Sequence, residues 1–306
     1  MNYKFTIFGV KDTTYEIIDF IEKNLCKVDL IVTISEEVLT KSHVAGYKSL
    51  RGLADMYNIE LLEVDDYSMK DSGTLDFFKK NTFEIGISMG WQRLIPEEIL
   101  ERYQYGVFGF HGSCGYLPYG RGRSPLNWSI INGDSRVIMN LFQYDKDADS
   151  PNIYDNIMFE INEFDTIRTV QYKNLLCAKE LISRLIKSYQ ENKILIKKGS
   201  KDFDLWYSKR TAADGKIDFK NKTREIYNLI RGVTKPFPGA FAFCNDEKVI
   251  IWEAVPFDQM LDFSEYAPGE VVDVFDKCLV VRTVDGSLLV KQYESNICIG
   301  KNDILV

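Results

Sequence analysis

The chain has 306 residues, 45% of them hydrophobic and 27% charged, with a formal net charge of -7. This balance is typical of a folded globular protein, and the acidic excess argues against a protein whose main task is to grip a polyphosphate backbone. Six cysteines without a CxxC pair argue against a zinc ribbon and a disulfide framework and predict a reduced, cytoplasmic protein. The two histidines, His43 and His111, exclude a histidine-rich metal site, and no metal is expected. With no signal peptide or long apolar stretch evident, no membrane partner is expected.

In its first half the chain alternates between short apolar runs and helical periods. Strands are predicted at residues 4–10, 28–34, 59–64, 83–89 and 105–110. Thr13 and Glu16 have capping-box spacing and predict the start of the first helix, and a short helix is predicted at 96–103. Strands that alternate with helices pair in parallel, so we predict an α/β fold with a Rossmann-like, doubly wound, mostly parallel sheet. Ligands bind at the carboxyl ends of such strands, and His111 follows the fifth strand directly.

The second half predicts a separate, smaller domain. A long helix at 166–191 is followed by a polar stretch, so we place a first domain at 1–196, a linker at 197–204 and a second domain at 205–306. Beyond one helix at 222–231, short strands and turn signals at 245–246 and 285–286 predict an OB-like β-barrel. Its edge strands offer a surface for a homodimer.

Residues 108–149 form the most informative segment of the chain. They place a histidine, several glycines and prolines and two arginines in a loop after a strand, followed by a run of acids, and loops of this composition are more often functional than structural. The order of residues resembles the fingerprint of the N10-formyltetrahydrofolate-dependent formyltransferases. The matching positions are His111, Ser113, Leu117–Pro118, Arg121–Gly122, Pro125, Trp128 and Asp149. The HGS, RGR and PLNW runs look most like the aminoarabinose formyltransferase branch, and stretches at 90–96, 209–219 and 236–241 extend the resemblance over nearly the whole chain.

This resemblance implies transfer of a formyl group from N10-formyltetrahydrofolate to a primary amine, with 1–196 as the catalytic domain. A neutral imidazole at His111 takes the proton of the attacking amine or stabilises the developing charge. Asp149 is the matching carboxylate that holds its tautomer, with Asp145 and Asp147 as nearby alternatives, and Ser113 is a further catalytic candidate. The residues expected to contact the folate donor are Arg93, Leu94, Ile95, Arg123, Asp145 and Asp149.

The chain departs from the family pattern at a catalytic position. The catalytic asparagine of the family lies two residues before the histidine, where this chain has Gly109. Glycine supplies no amide to the formyl oxygen, and loss of such a donor costs on the order of a hundredfold in rate. Three explanations stand open. The donor is the Ser113 hydroxyl or a backbone N–H of the loop that follows it, or the side-chain amide of Asn127 or Asn132 replaces the missing one. In the third explanation the chain is a weak or inactive relative. We favour compensation.

The acceptor is expected to be a nucleotide-linked amino sugar of the 4-amino-4,6-dideoxy type. The second domain carries more acidic than basic residues, which disfavours a nucleic-acid partner and therefore methionyl-tRNA, the main alternative. Trp206 and Tyr207 are candidates to stack on the base, Lys209 or Arg210 to meet a phosphate, and Asn127 to contact the substrate. A packing role for these aromatic residues is the competing interpretation, and a catalytically weak formyltransferase-like binding protein is the competing function.

Overall fold

The computed structural model of the protein describes residues 1–42, 44, 46–145, 152–198 and 205–306. The chain divides into two compact units. The first comprises Met1–Arg121, Ile138–Ile157 and Asn174–Leu205, and the second comprises Gly122–Val137, Met158–Lys173 and Trp206–Val306. Two segments of the predicted first domain, Gly122–Val137 and Met158–Lys173, thus belong to the second unit, and the domain boundaries drawn from the sequence stay predictions.

The first unit is built on a large sheet with helical connections. The strands of this sheet are β1 Asn2–Phe8, β2 Leu30–Ile34, β3 Glu60–Val64, β4 Thr82–Ser88, β5 Val107–Ser113, β7 Arg136–Gln143, β8 Asn152–Glu160 and β9 Lys197–Lys198. The short strand β6 Tyr119–Gly122 lies outside this sheet. The helices of this part of the chain are α1 Asp12–Asn24, α2 Glu36–Ser42, α3 Arg51–Tyr57, α4 Ser72–Lys80, α5 Glu97–Leu100, α6 Pro125–Ile131 and α7 Ile167–Gln190, and α6 belongs to the second unit. None of the helices in these described stretches is long and apolar enough to cross a membrane.

Strand order in this sheet is β3-β2-β1-β4-β5-β7-β8-β9. The first five strands pair in parallel, which confirms the Rossmann-like, doubly wound prediction. Their runs are apolar because helical connections cover both faces of such a sheet, and all five side chains of β2 are buried. The connection from β3 returns the chain to the other side of β1, so the order reverses between β1 and β4. That reversal creates the crevice in which ligands bind in folds of this type.

Two local predictions are wrong. His111 does not follow the fifth strand but lies within β5, because β7 pairs with β5 in antiparallel register and extends it as far as Ser113. The first helix begins at Asp12 rather than at the predicted Thr13–Glu16 box. There the Thr14 hydroxyl accepts from the backbone N–H of Lys11 at 3.2 Å. Thr14 therefore caps the backbone N–H at the start of the helix, which is the contact predicted for Glu16.

The second unit contains an antiparallel barrel, as predicted. After β10 Leu205–Tyr207 and a 3-10 turn at Ala212–Gly215 come α8 Thr223–Val233, β11 Ala240–Cys244, β12 Glu247–Asp258, β13 Val271–Phe275, β14 Cys278–Arg282 and β15 Ser287–Glu294. The last five strands pair in the order β11-β12-β15-β14-β13. The 302–306 segment bonds to both edges, since Val306 exchanges two backbone bonds with Phe243 and Asp303 accepts from Val271. It thereby closes the sheet and covers both edge strands.

Candidate active site

The imidazole of His111 is fixed by the loop that follows its own strand. The ring is buried, with 7% of the residue exposed, and Nε2 lies 2.7 Å from the carbonyl oxygen of Gly120. A carbonyl oxygen can only accept, so Nε2 carries the hydrogen in this arrangement and, in the neutral ring, Nδ1 carries the lone pair. Gly120 has a φ of 82°, a conformation that suits glycine and turns its carbonyl toward the ring.

Two buried polar side chains brace this loop. The Ser113 hydroxyl donates to the carbonyl oxygens of Gly115 and Tyr119, both at 3.0 Å. Asn140, which lies opposite His111 on β7, donates from Nδ2 to the carbonyl oxygen of His111 at 3.2 Å. The hydroxyl proton of Ser113 is therefore engaged with backbone carbonyls. This geometry favours a bracing role over the donor role expected for Ser113, and the catalytic assignment stays a prediction.

The turn predicted to meet the donor follows β4 at the point of strand reversal. Arg93 and Leu94 are exposed there, whereas Ile95 is buried within the core of the first unit. A ligand would reach Ile95 through its backbone, not through the side chain. The Arg93 guanidinium lies 5.0 Å from the centre of the Tyr67 ring, and the Tyr67 hydroxyl accepts from the backbone N–H of Gln92 at 3.1 Å. The turn is thus held by one tyrosine from a neighbouring loop.

Beside Gly109 the space for a side chain is filled by Tyr144. A Cβ atom built on Gly109 would lie 2.5 Å from the Tyr144 hydroxyl oxygen and closer still to two carbons of its ring. The Tyr144 hydroxyl lies 3.2 Å from Oγ of Ser88, the last residue of β4. Sequence reasoning did not single out Tyr144. Its signal was an aromatic residue directly after an apolar strand and before the acidic run.

Asn127 and Asn132 are the two asparagines considered as substitutes for the missing amide. Asn127 is buried in the second unit and donates from Nδ2 to the carbonyl oxygen of Gly232 at 2.8 Å. Asn132 is exposed at the end of α6. The Nδ2 group of Asn127 is thus engaged within the second unit, and substitution by either asparagine stays a prediction.

The predicted carboxylate partner lies outside the described residues. These omit 146–151, and with them Asp147 and Asp149, as well as His43. Asp145 is described and is exposed just after β7. The pairing of His111 with a carboxylate therefore stays a prediction.

Of the aromatic pair near the linker, Tyr207 is part of the packing of the second unit. Its buried ring stacks on Trp128 at 5.9 Å and 11°, and its carbonyl oxygen accepts from the backbone N–H of Arg123 at 3.0 Å. This favours the packing interpretation over stacking of Tyr207 on a nucleotide base. Trp206 is 56% exposed, and the Arg123 side chain is exposed as well.

A cleft in the second unit brings together two of the predicted substrate residues. Its lining comprises Ser124, Asn127, Arg210, Thr211, Ala212, Gly215, Val233, Phe237, Pro238 and Gly239. The Arg210 guanidinium lies 4.9 Å from the Trp128 ring and donates to the carbonyl oxygen of Asp214 at 2.8 Å. Burial lowers the pKa of Arg210 from its ordinary value, because water is partly excluded from the cation. A fixed, partly desolvated guanidinium suits an anionic group such as a phosphate.

Known proteins share both the fold and parts of the sequence. Residues 209–298 match the family described as formyl transferase, C-terminal domain. The chain is 32% identical over 230 residues to the bifunctional polymyxin resistance protein ArnA of Wigglesworthia glossinidia brevipalpis, a match that covers 74% of this chain and 34% of that protein. The chain therefore spans about a third of the length of this curated relative.

Two solved structures illustrate the shared fold. One is an N-formyltransferase from Helicobacter canadensis, described in complex with folinic acid and dTDP-3-aminofucose, with a TM-score of 0.67, 20% identity and coverage of 94% of this chain and 99% of that one. The other is a methionyl-tRNA formyltransferase from Clostridium thermocellum, with a TM-score of 0.56, 18% identity and coverage of 83% and 93%.

These findings define an α/β protein with an imidazole at the carboxyl edge of its sheet and a C-terminal antiparallel barrel. Residues 209–298 belong to the formyl transferase C-terminal domain family, and the chain shares its fold with solved formyltransferases.

Proposed function

We propose that this protein transfers a formyl group from N10-formyltetrahydrofolate to the primary amine of a nucleotide-linked amino sugar of the 4-amino-4,6-dideoxy type. The observation that carries the proposal is the buried imidazole of His111, held by the Gly120 carbonyl at the carboxyl edge of a doubly wound sheet. Sheet edges of this kind bind small ligands, and the family match of residues 209–298 supports the type of reaction.

The chemistry requires a neutral amine and a place for its proton. The amine nitrogen attacks the formyl carbon, a C–N bond forms, and the π electrons of the C=O bond move onto oxygen. His111 takes the proton of the attacking nitrogen as general base. The oxyanion electrons then re-form the C=O bond, the bond between the formyl carbon and N10 breaks, and N10 receives the proton that His111 took up. The Gly120 carbonyl orients the imidazole, and Asp149 is the proposed partner that stabilises its charged form.

The donor is proposed to bind beside the reversal of strand order. The turn after β4 presents the exposed side chains of Arg93 and Leu94 next to the edge that holds His111. The N-formyltransferase from Helicobacter canadensis is described with folinic acid, a reduced folate, which supports the same class of donor here. We also assign Asp145, Arg123 and Asp149 to this site.

An amino sugar is the acceptor that the charge pattern supports best. The fold does not decide between acceptors, because a sugar enzyme and a methionyl-tRNA enzyme share it. A tRNA substrate needs many Lys and Arg contacts, whereas this chain carries a net charge of -7. A nucleotide sugar carries far less phosphate, and one fixed guanidinium such as Arg210 suits it. Methionyl-tRNA remains the alternative substrate, and binding without catalysis the alternative function.

A direct assay tests this proposal. The protein is mixed with N10-formyltetrahydrofolate and a panel of nucleotide-linked 4-amino sugars, and tetrahydrofolate release and product mass are followed. We expect turnover with at least one sugar, a product 28 Da heavier as formylation requires, and its loss in His111→Ala and Asp149→Asn. His43→Ala is the matched control and is expected to retain activity. Turnover with initiator methionyl-tRNA alone, or binding without turnover, would overturn the assignment.

A further inference from the structure

Tyr144 occupies the place of the side chain that Gly109 lacks. Real Cβ atoms do not approach other atoms as closely as a Cβ on residue 109 would approach the Tyr144 ring. Any larger residue at position 109 therefore requires the ring to move. Gly109 and Tyr144 form one packing unit, although 35 positions separate them in the chain.

The ring is held in this place from several sides. Its backbone N–H donates to the carbonyl oxygen of Val107 at 2.7 Å, and its ring centre lies 5.3 Å from that of Phe142. Its hydroxyl reaches Ser88, which pairs directly with Gly109 across β4 and β5. The phenol oxygen is thereby placed between the carboxyl ends of two adjacent parallel strands.

The same placement puts the phenol on the face of the sheet that carries His111. Residues 109 and 111 are two positions apart on β5, so their Cβ directions share a face and are spaced by roughly 7 Å along the strand. The β5–β7 register is regular from Gly109 to Ser113. The Tyr144 hydroxyl oxygen, 2.5 Å from the Cβ position of residue 109, therefore lies on the face of the sheet that carries the imidazole.

We propose that the Tyr144 hydroxyl is a catalytic hydrogen-bond donor in this protein, an inference that rests on the proposed formyl transfer. It donates to the formyl oxygen as negative charge builds on it, which is the task of an amide that Gly109 lacks. Phenol is both a donor and an acceptor. When its proton turns to the formyl oxygen, the Ser88 hydroxyl donates to the phenol oxygen in return, so the ring stays anchored.

Asn140 is the competing amide near His111, and its burial argues against it. The residue is 0% exposed, and Nδ2 is engaged by the carbonyl oxygens of His111 and Ile138. Tyr144 is half-buried and follows the end of its strand. The accessible donor at position 109 is thus a phenol and not an amide.

Tyr144→Phe tests the proposal, because it removes the hydroxyl and keeps the ring that fills the space. We expect kcat to fall by about a hundredfold or more, with both KM values within about threefold of the wild type and an unchanged Tm. Tyr57→Phe is the matched control, since it removes another phenol hydrogen bond, to Asp19, on the helical layer. Wild-type kcat in Tyr144→Phe would overturn the proposal while leaving formyl transfer established.

A second experiment restores an amide where the ring was. Tyr144→Ala empties the space, and Gly109→Asn added to it places an asparagine two residues before His111. We expect this double variant to turn over at least tenfold faster than Tyr144→Ala. Equal rates in these two variants, with both folded by Tm, would contradict a shared role of the two positions. If the wild type itself transfers no formyl group to any acceptor, the proposed function fails and this inference fails with it.

Discussion

His111 Nε2 and the carbonyl oxygen of Gly120 lie 2.7 Å apart, and the two residues are nine positions apart in the chain. The bond places the hydrogen of the imidazole on Nε2 and fixes the plane of the ring. Ser113 and Asn140 also help to fix the ring. The Ser113 hydroxyl donates to the carbonyl oxygen of Gly115, and Nδ2 of Asn140 donates to the carbonyl oxygen of His111. Substitutions of the loop that follows β5 should therefore act on catalysis through the orientation of His111.

We expect the rate to depend on the charge of His111. A protonated ring accepts no proton, so the general-base role requires the neutral imidazole. In the wild type, kcat/KM should fall on the acid side through one ionisation, and His111→Ala should lower kcat by a factor of about 10² to 10⁴. The measurement is a pH–rate profile of both proteins. An acid limb that persists in the residual activity of His111→Ala would contradict this role.

Gly120→Ala should impair the orientation of the imidazole. A φ of 82° costs a residue with a Cβ roughly 1–2 kcal/mol, so the alanine backbone relaxes and moves the carbonyl away from Nε2. We expect kcat to fall about tenfold or more with a small loss of Tm. Gly133→Ala, at a φ of 73° in the second unit, introduces comparable strain and serves as control. Equal kcat values in the two variants would show that the Gly120 bond is dispensable.

Arg210→Met should weaken acceptor binding and leave the donor unaffected. Loss of a charge-assisted hydrogen bond of about 1.5–3 kcal/mol predicts a rise of roughly tenfold to a hundredfold in KM for the nucleotide sugar. The KM for the folate donor and kcat should stay near the wild-type values. Lys209→Met removes an adjacent, exposed charge and is the control. Equal KM changes in the two variants would indicate a general charge effect in place of a specific contact.

Asp165 should make stability depend on pH. Burial opposes its charged form, but hydrogen bonds from Lys173, the backbone N–H of Asn162 and Thr169 outweigh burial and lower its pKa below the ordinary 3.8. A carboxyl group with a lowered folded-state pKa stabilises the fold above its unfolded pKa, and this contribution disappears as the pH falls through the folded value. Asp165→Asn should therefore lower the free energy of unfolding by about 2 kcal/mol at pH 7 and by much less near pH 3.

Urea unfolding at several pH values measures this difference. Asp155→Asn is the control, because its ion pair with Arg184 is exposed and worth less than about 1 kcal/mol. A loss of stability in Asp165→Asn of the same size at pH 7 and pH 3 would show that the carboxylate charge contributes nothing.

Much of the first unit follows from its sequence because local patterns determine it. The apolar run at 30–34 and the helical periods between strands predict parallel strands, and their edge is where His111 lies. The extent of β5 was not predictable in this way. Its last residues include two glycines and a histidine, and they become a strand because β7 supplies antiparallel partners from 30 residues away.

The substrate residues show the same division. Arg210 was predicted to meet a phosphate from its position near the linker, and it lies in a cleft with Asn127. Tyr207 was a candidate for stacking on a base from residue type alone. Its ring is instead stacked on Trp128, since which aromatic faces remain exposed depends on packing between distant segments.

By itself, the sequence determined the fold class, the place of His111 near the ligand-binding edge and the absence of a side chain at Gly109. Tertiary structure alone decided what occupies the space that this glycine leaves. The sequence shows which residue stands at each position. It does not show that the space beside Gly109 on β5 is filled by the ring of Tyr144, which lies just after β7. Gly109 and Tyr144 meet because β5 and β7 pair, so their contact exists only in the folded chain.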